Sequence, residues 1–170
     1  VKYKMLRFDK VGVDIGTRIN LATLNTNGNL SLEPRISTSY SFSPLLKIQA
    51  AYGVYQQSLT TVFSENDVIS LFEPWIVIPD YIDPTKSTHY TFGLNSYLHE
   101  NWTIDIEGYY KKTKNVPIVN DSKSTENDND FLIGESESYG WEFLSKLKFY
   151  SFNFNTSYSL SWSYNMIDDY

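Results

Sequence analysis

The chain has no cysteine, which removes disulfides, thiolate nucleophiles and zinc–thiolate sites together. It also has no apolar run of eighteen residues, so no helix of it can span a bilayer. Barrel strands turn only every second residue toward lipid, so that absence leaves a β-type membrane protein open. Positive charge is short: 14 Lys and Arg stand against 20 Asp and Glu, a net charge of −6. No basic patch is available to meet phosphates, and no nucleic-acid partner is expected. The two histidines, His89 and His99, fall on one extended segment, where ten residues separate them by roughly 33 Å. They cannot share a metal or a proton. The spacing of serines and carboxylates yields no nucleophile, base and orienting group in sequence. Neither enzymatic activity nor a cofactor is expected.

Aromatics are plentiful, with 14 Tyr, 10 Phe and 4 Trp, and they recur at alternate positions. The clearest case is Phe152 to Tyr164. Phe152, Phe154, Thr156, Tyr158, Leu160, Trp162 and Tyr164 form one set, and Asn153, Asn155, Ser157, Ser159, Ser161 and Ser163 the other. A period of two means an extended strand with one greasy and one hydrated face. Thirteen residues at ~3.3 Å each, tilted by ~40°, climb roughly 33 Å, enough to cross a ~25 Å apolar band.

The same pattern recurs from Val13 to Ala22, Leu32 to Phe42, Leu46 to Tyr55, Thr88 to Leu98, Trp102 to Lys111 and Tyr139 to Phe149, with Ser145 breaking the greasy face once. Tyr3 to Phe8 reads as a weaker eighth strand. Thr26-Asn27-Gly28-Asn29 carries a tight-hairpin signal. Residues 58–87, with Pro74, Pro79 and Pro84, and the acidic residues 114–137 read as long loops. Connections then alternate short and long, the rhythm of an outer-membrane barrel with tight inner turns and long external loops. The expected fold is all-β, an antiparallel transmembrane barrel wall. A soluble β-sandwich has similar alternation but shorter strands.

Several segments in order resemble the barrel of TonB-dependent outer-membrane receptors. These are Leu32-Glu33-Pro34-Arg35-Ile36-Ser37, Ala50-Ala51-Tyr52-Gly53-Val54-Tyr55-Gln56, His89-Tyr90-Thr91-Phe92-Gly93-Leu94, Glu107-Gly108-Tyr109-Tyr110-Lys111 and Tyr139-Gly140-Trp141-Glu142-Phe143. The resemblance implies a 22-stranded barrel filled by a plug. No plug is recognisable here and Asn165 to Tyr170 alternates poorly, so the chain is expected to be a piece of a larger receptor in a bacterial outer membrane. It would take up a large scarce nutrient such as an iron chelate, vitamin, glycan or peptide. Its partners would be outer-membrane lipid, the TonB complex acting through a plug outside this chain, and a surface lipoprotein. The competing expectation is a complete eight-stranded barrel with a structural or adhesive role.

Candidate site residues follow from the pattern. Trp102, Tyr110, Trp162 and Tyr164 sit near strand ends as membrane-interface aromatics. Arg18, Glu33, Arg35, Asp105, Glu107 and Glu142 lie on the hydrated face and would line a lumen, either pairing across neighbouring strands or forming a substrate conduit or plug-docking surface. Phe72, Trp75 and Tyr81, apolar groups on an expected external loop, would either meet a ligand or pack among themselves. The acidic residues from Asp121 to Glu137 lack EF-hand spacing and its glycine, so no metal is expected.

Overall fold

A computed structural model describes residues 2–8, 10–21, 30–61, 75–120 and 122–167, and side chains for 10–20, 30–61, 75–120 and 122–166. Its strands are β1 (Lys2–Phe8), β2 (Val11–Leu21), β3 (Leu30–Ser43), β4 (Leu46–Gln57), β5 (Leu59–Thr61), β6 (Trp75–Val77), β7 (Thr85–His99), β8 (Trp102–Val119), β9 (Phe131–Phe149) and β10 (Phe152–Ile167). Eight of them form one antiparallel sheet in the order β1-β2-β3-β4-β7-β8-β9-β10. The short β5 and β6 pair only with each other, within the connection from β4 to β7.

Strictly sequential antiparallel order puts tight turns at one end of the sheet and long connections at the other. Pro44-Leu45, Glu100-Asn101 and Tyr150-Ser151 turn at the tight end, where Ser43 Oγ accepts from the Leu45 N–H at 3.2 Å and Tyr150 adopts φ 53°. The described parts of the long connections, 58–61, 75–84, 120 and 122–130, lie at the opposite end. The expected turn at Asn27-Gly28 lies outside the described residues.

Register decides which side chains share a face. Ile15 stands opposite Ile36, Ile36 opposite Tyr52, and Tyr52 opposite Tyr90. Tyr90 stands opposite Tyr110, Tyr110 opposite Tyr139, and Tyr139 opposite Trp162. Every greasy set therefore lies on one side of the sheet from β2 to β10. On the other side Arg35, Gly53, His89, Lys111, Ser138 and Ser163 form the neighbouring row. Gly140 lies on that second face, and β10 comes so close there that a Cβ would collide with the Leu160 carbonyl oxygen.

No second layer covers the apolar face among the described residues. Ile15, Ile36, Phe92, Trp141, Phe154, Tyr158 and Leu160 are all exposed on it, and the buried apolar side chains among the described residues are Val54, Ile78 and Ile82. The accessible surface is 12819 Å², against roughly 8600 Å² for a compact folded chain of this mass. The β-sandwich expectation fails on this point, since a sandwich buries one face of each sheet. The closed eight-stranded barrel fails too: β1 and β10 each pair with one neighbour only, so the sheet is open.

The strands also run further than their alternation suggests. β7 starts at Thr85, β8 continues to Val119 and β9 begins at Phe131, so segments expected as loop are paired strand. The reason is a register shift in β8 between Thr113 and Val116, where Asn115 takes φ 56°. The two-residue period breaks there and resumes out of phase. Pro117 is tolerated because β7 pairing stops at Lys114, leaving that part of β8 with β9 as its only neighbour.

Candidate functional site

The apolar face carries a band with polar borders. At the tight-turn end Trp102 stands opposite Leu147, and its indole N–H donates to Ser145 Oγ at 3.1 Å. The one serine that interrupts the greasy set thus serves the one indole beside it. Toward the other end Tyr52, Tyr90, Tyr110, Tyr139 and Trp162 follow one another along the hydrogen-bonding direction. Ring centroids lie 5.1 Å apart for Tyr52–Tyr90, 6.2 Å for Tyr90–Tyr110 and 5.4 Å for Tyr139–Trp162. Tyr164 joins them, 6.1 Å from Tyr139. From Trp102 to Tyr110 the strand climbs roughly 20 Å at a ~40° tilt, close to a ~25 Å apolar band. Trp102, Tyr110, Trp162 and Tyr164 all lie on this face, at its two borders. Tyr52, Tyr90 and Tyr139 complete the row, and only cross-strand register reveals them.

The polar face holds a network on β2, β3 and β4. The Glu33 carboxylate is 1% exposed. It accepts from Asn20 Nδ2 at 2.7 Å and Arg35 Nη2 at 2.9 Å, with the Gln56 backbone N–H further off at 3.4 Å. Arg18 Nε donates to Asn20 Oδ1 at 2.9 Å, extending the chain of bonds to a second guanidinium. Arg35 lies over the Tyr55 ring at 4.4 Å, and that ring packs against His89 at 4.6 Å. Gly53 makes this possible, since a Cβ there would meet the Tyr55 ring at 2.9 Å. Small Gly16, Ala51 and Gly53 floor an open recess of about 500 Å³, whose rim includes Asp14, Arg18, Arg35, Tyr55 and His89.

Arg18, Glu33 and Arg35 are therefore brought together, while Asp105, Glu107 and Glu142 form a separate acidic group on β8 and β9. Asp105 accepts from Asn95 Nδ2 at 2.7 Å, and Glu107 stands directly opposite Glu142. Among the described residues no three His, Cys, Asp or Glu come together in a way that could hold a metal. Asn20, Tyr55 and His89 have roles in the network that spacing along one strand does not disclose.

At the long-connection end Trp75 is 69% exposed and Tyr81 48% exposed, while Ile78 and Ile82 bury almost completely. The apolar groups of this connection thus divide between packing and exposure. Tyr81 Oη accepts from the Phe131 N–H at 3.2 Å, tying the connection to β9. Phe72 lies outside the described residues. Described residues of the connection between β8 and β9 bond to one another. Asp128 accepts from the Ser124 and Thr125 N–H groups at 3.1 and 2.9 Å, and Lys123 pairs with Asp130 at 2.7 Å. Those backbone bonds, that of Thr125 foremost, hold the Asp128 carboxyl below its usual range.

Two predictions follow from these contacts. Arg35 is partly exposed and Glu33 is not, so the two ends of their ion pair are unequal. Arg35→Ala leaves a buried carboxylate short of its cation and costs about 3 kcal/mol. Glu33→Gln keeps an acceptor for Asn20 and costs about 1 kcal/mol. Denaturant unfolding midpoints check this, and the reverse order would refute the assignment. For Asp128, a depressed folded pKa means the bonds contribute fully above the ordinary carboxylate pKa and are lost as pH falls through the depressed value. The protection of the Ser124 and Thr125 amides, measured against their intrinsic exchange rates, should fall as pH drops through the depressed value, and Asp128→Asn should make that protection independent of pH over the same range.

The family described as TonB dependent receptor-like, beta-barrel matches residues 5–170. No curated protein matches the chain. No solved structure matches it either. The matched family consists of outer-membrane transport receptors of Gram-negative bacteria, and the all-β antiparallel sheet with one continuous apolar face is what a length of such a barrel requires. The chain belongs to the TonB-dependent receptor β-barrel family.

Proposed function

We propose that these strands are a stretch of the barrel wall of an outer-membrane active-transport receptor for a large scarce nutrient: an iron chelate, vitamin, glycan or peptide. The single observation that carries the proposal is the partition of apolar and polar side chains, kept within the band across the six ladders from β2 to β10. An exposed apolar face of that extent is tolerable in lipid and not in water. The open sheet supports the larger barrel, because unpaired edge groups of β1 and β10 would each cost several kcal/mol in lipid without further strands.

In this arrangement the face bearing Arg18, Glu33, Arg35, Asp105, Glu107 and Glu142 lines the lumen. Trp102, Tyr110, Trp162 and Tyr164 sit at the two membrane interfaces. The connections 58–84 and 120–130 face outward, and Phe72, Trp75 and Tyr81 contact the ligand. Energy comes from the TonB complex acting on a plug outside this chain, and a surface lipoprotein is a compatible partner above the external connections.

Two measurements test this. Ile106→Lys places an ammonium group in the middle of the apolar band and should cost about 2–4 kcal/mol. Ser157→Lys, on the polar face, should stay within about 0.5 kcal/mol. Unfolding of the full-length receptor in phospholipid vesicles reads both, and equal costs would refute the assignment of faces. A strain lacking the receptor should lose growth on one limiting ferric chelate, vitamin, glycan or peptide. Growth should return with the full-length chain only when TonB is present. Unchanged growth on every nutrient, or rescue without TonB, would remove the transport reading.

A further inference from the structure

Above the aromatic row the apolar face turns abruptly charged. Lys112 lies two residues beyond Tyr110, Lys114 two further, and Lys86 stands directly opposite Lys114 on β7. Two to four residues climb roughly 5–10 Å at a ~40° tilt, which is the depth of the headgroup layer beside a ~30 Å hydrocarbon core. The acidic partners on this face are Glu135 and Glu137. Glu135 reaches Lys112 at 2.8 Å and Lys114 at 3.3 Å, and Glu137 reaches Lys112 at 3.2 Å. Three ammonium groups thus face two carboxylates. Lys112 takes the shorter contacts, Lys114 keeps 57% of its side chain exposed, and Lys86 meets no carboxylate among the described residues.

Like charges directly opposite on neighbouring strands destabilise a sheet. The Lys86–Lys114 pair carries that penalty with no carboxylate of its own between the two strands. The row below differs: Lys112 stands opposite Glu137. This pair, whose one carboxylate contact among the described residues is a Glu135 shared between Lys114 and Lys112, lies on the side that meets lipid, at headgroup depth, at the end with the long connections.

We infer that Lys86 and Lys114, backed by Lys112, form a binding site on the outer surface of the wall for the phosphate of an anionic lipid headgroup. The headgroup inserts between the two opposed ammonium groups while its chains lie along the apolar face below. The tyrosine hydroxyls of Tyr90 and Tyr110 mark the floor of the site. This inference rests on the membrane orientation proposed above. Each lysine near an anionic surface contributes about a fivefold change in association.

The test uses the full-length receptor reconstituted in mixed phosphatidylcholine and phosphatidylglycerol vesicles and released for native mass spectrometry. Phosphatidylglycerol should be retained in preference to phosphatidylcholine. Lys86→Gln with Lys114→Gln should lower that preference roughly 25-fold. Lys47→Gln, which removes a lysine from the polar face, should leave it unchanged. Equal retention of both lipids by the unaltered receptor, or equal loss in the Lys47 variant, overturns the site. Lysine-dependent binding of inorganic phosphate in neutral detergent, with no lipid preference, would make it a free-anion site and overturn the lipid assignment. Failure to insert into neutral vesicles would overturn the membrane orientation itself, whereas insertion without lipid preference overturns the headgroup site alone.

Discussion

Everything in this molecule depends on parity being kept across the ladders. A strand's side chains alternate with a period of two, so a slip of one residue in any pairing would send its whole greasy set to the wrong face. From β2 to β10 no such slip occurs within the band, and the result is a sheet with one apolar and one polar surface. In most small domains an apolar surface is hidden by a second layer. Here it stays open, and the solvent has to supply what the chain does not. The fold is held by backbone ladders and cross-strand pairs rather than by a core, which is why its few deeply buried apolar groups include Ile78 and Ile82 in a connection.

The polar surface follows a different logic. Glu33 is buried without a surrounding core because Asn20, Arg35 and the β4 backbone close around it. A charge so enclosed is tolerable only with its partners in place, so the network holds β2, β3 and β4 in one fixed relation. On β8 and β9 the opposed Glu107 and Glu142 have the contrary character, two like charges side by side facing the same space. One part of the wall is internally satisfied, and another presents unbalanced negative charge.

Most of the strands were legible in the sequence because their pattern is local. Phe152 to Tyr164 states its two faces without reference to any other segment, and even Tyr3 to Phe8, the weakest, falls within β1. What could not be read lies in relations between distant residues. Nothing near Tyr139 announces that it stands between Tyr110 and Trp162. Asn20 meets Glu33 across a ladder, and His89 packs on Tyr55 from the neighbouring strand. The upper reaches of β8 were hidden for another reason. Asn115 and Pro117 look like breakers, and they are, but of the count rather than of the strand.

That interruption at Asn115 has a consequence for how such a protein can change. Below it, adding or removing one residue would exchange the apolar and polar faces of the strand. Above it the phase has already been reset once, Val116 now standing on the side of Gly134 and Pro117 on the side of Ile133. The bulge uncouples the two regions, so the projecting part of β8 and β9, with the connection at its tip, can gain or lose residues while the wall beneath keeps its faces. Variation above the bulge is thereby separated from the constraint that keeps the two faces of the sheet apart below it.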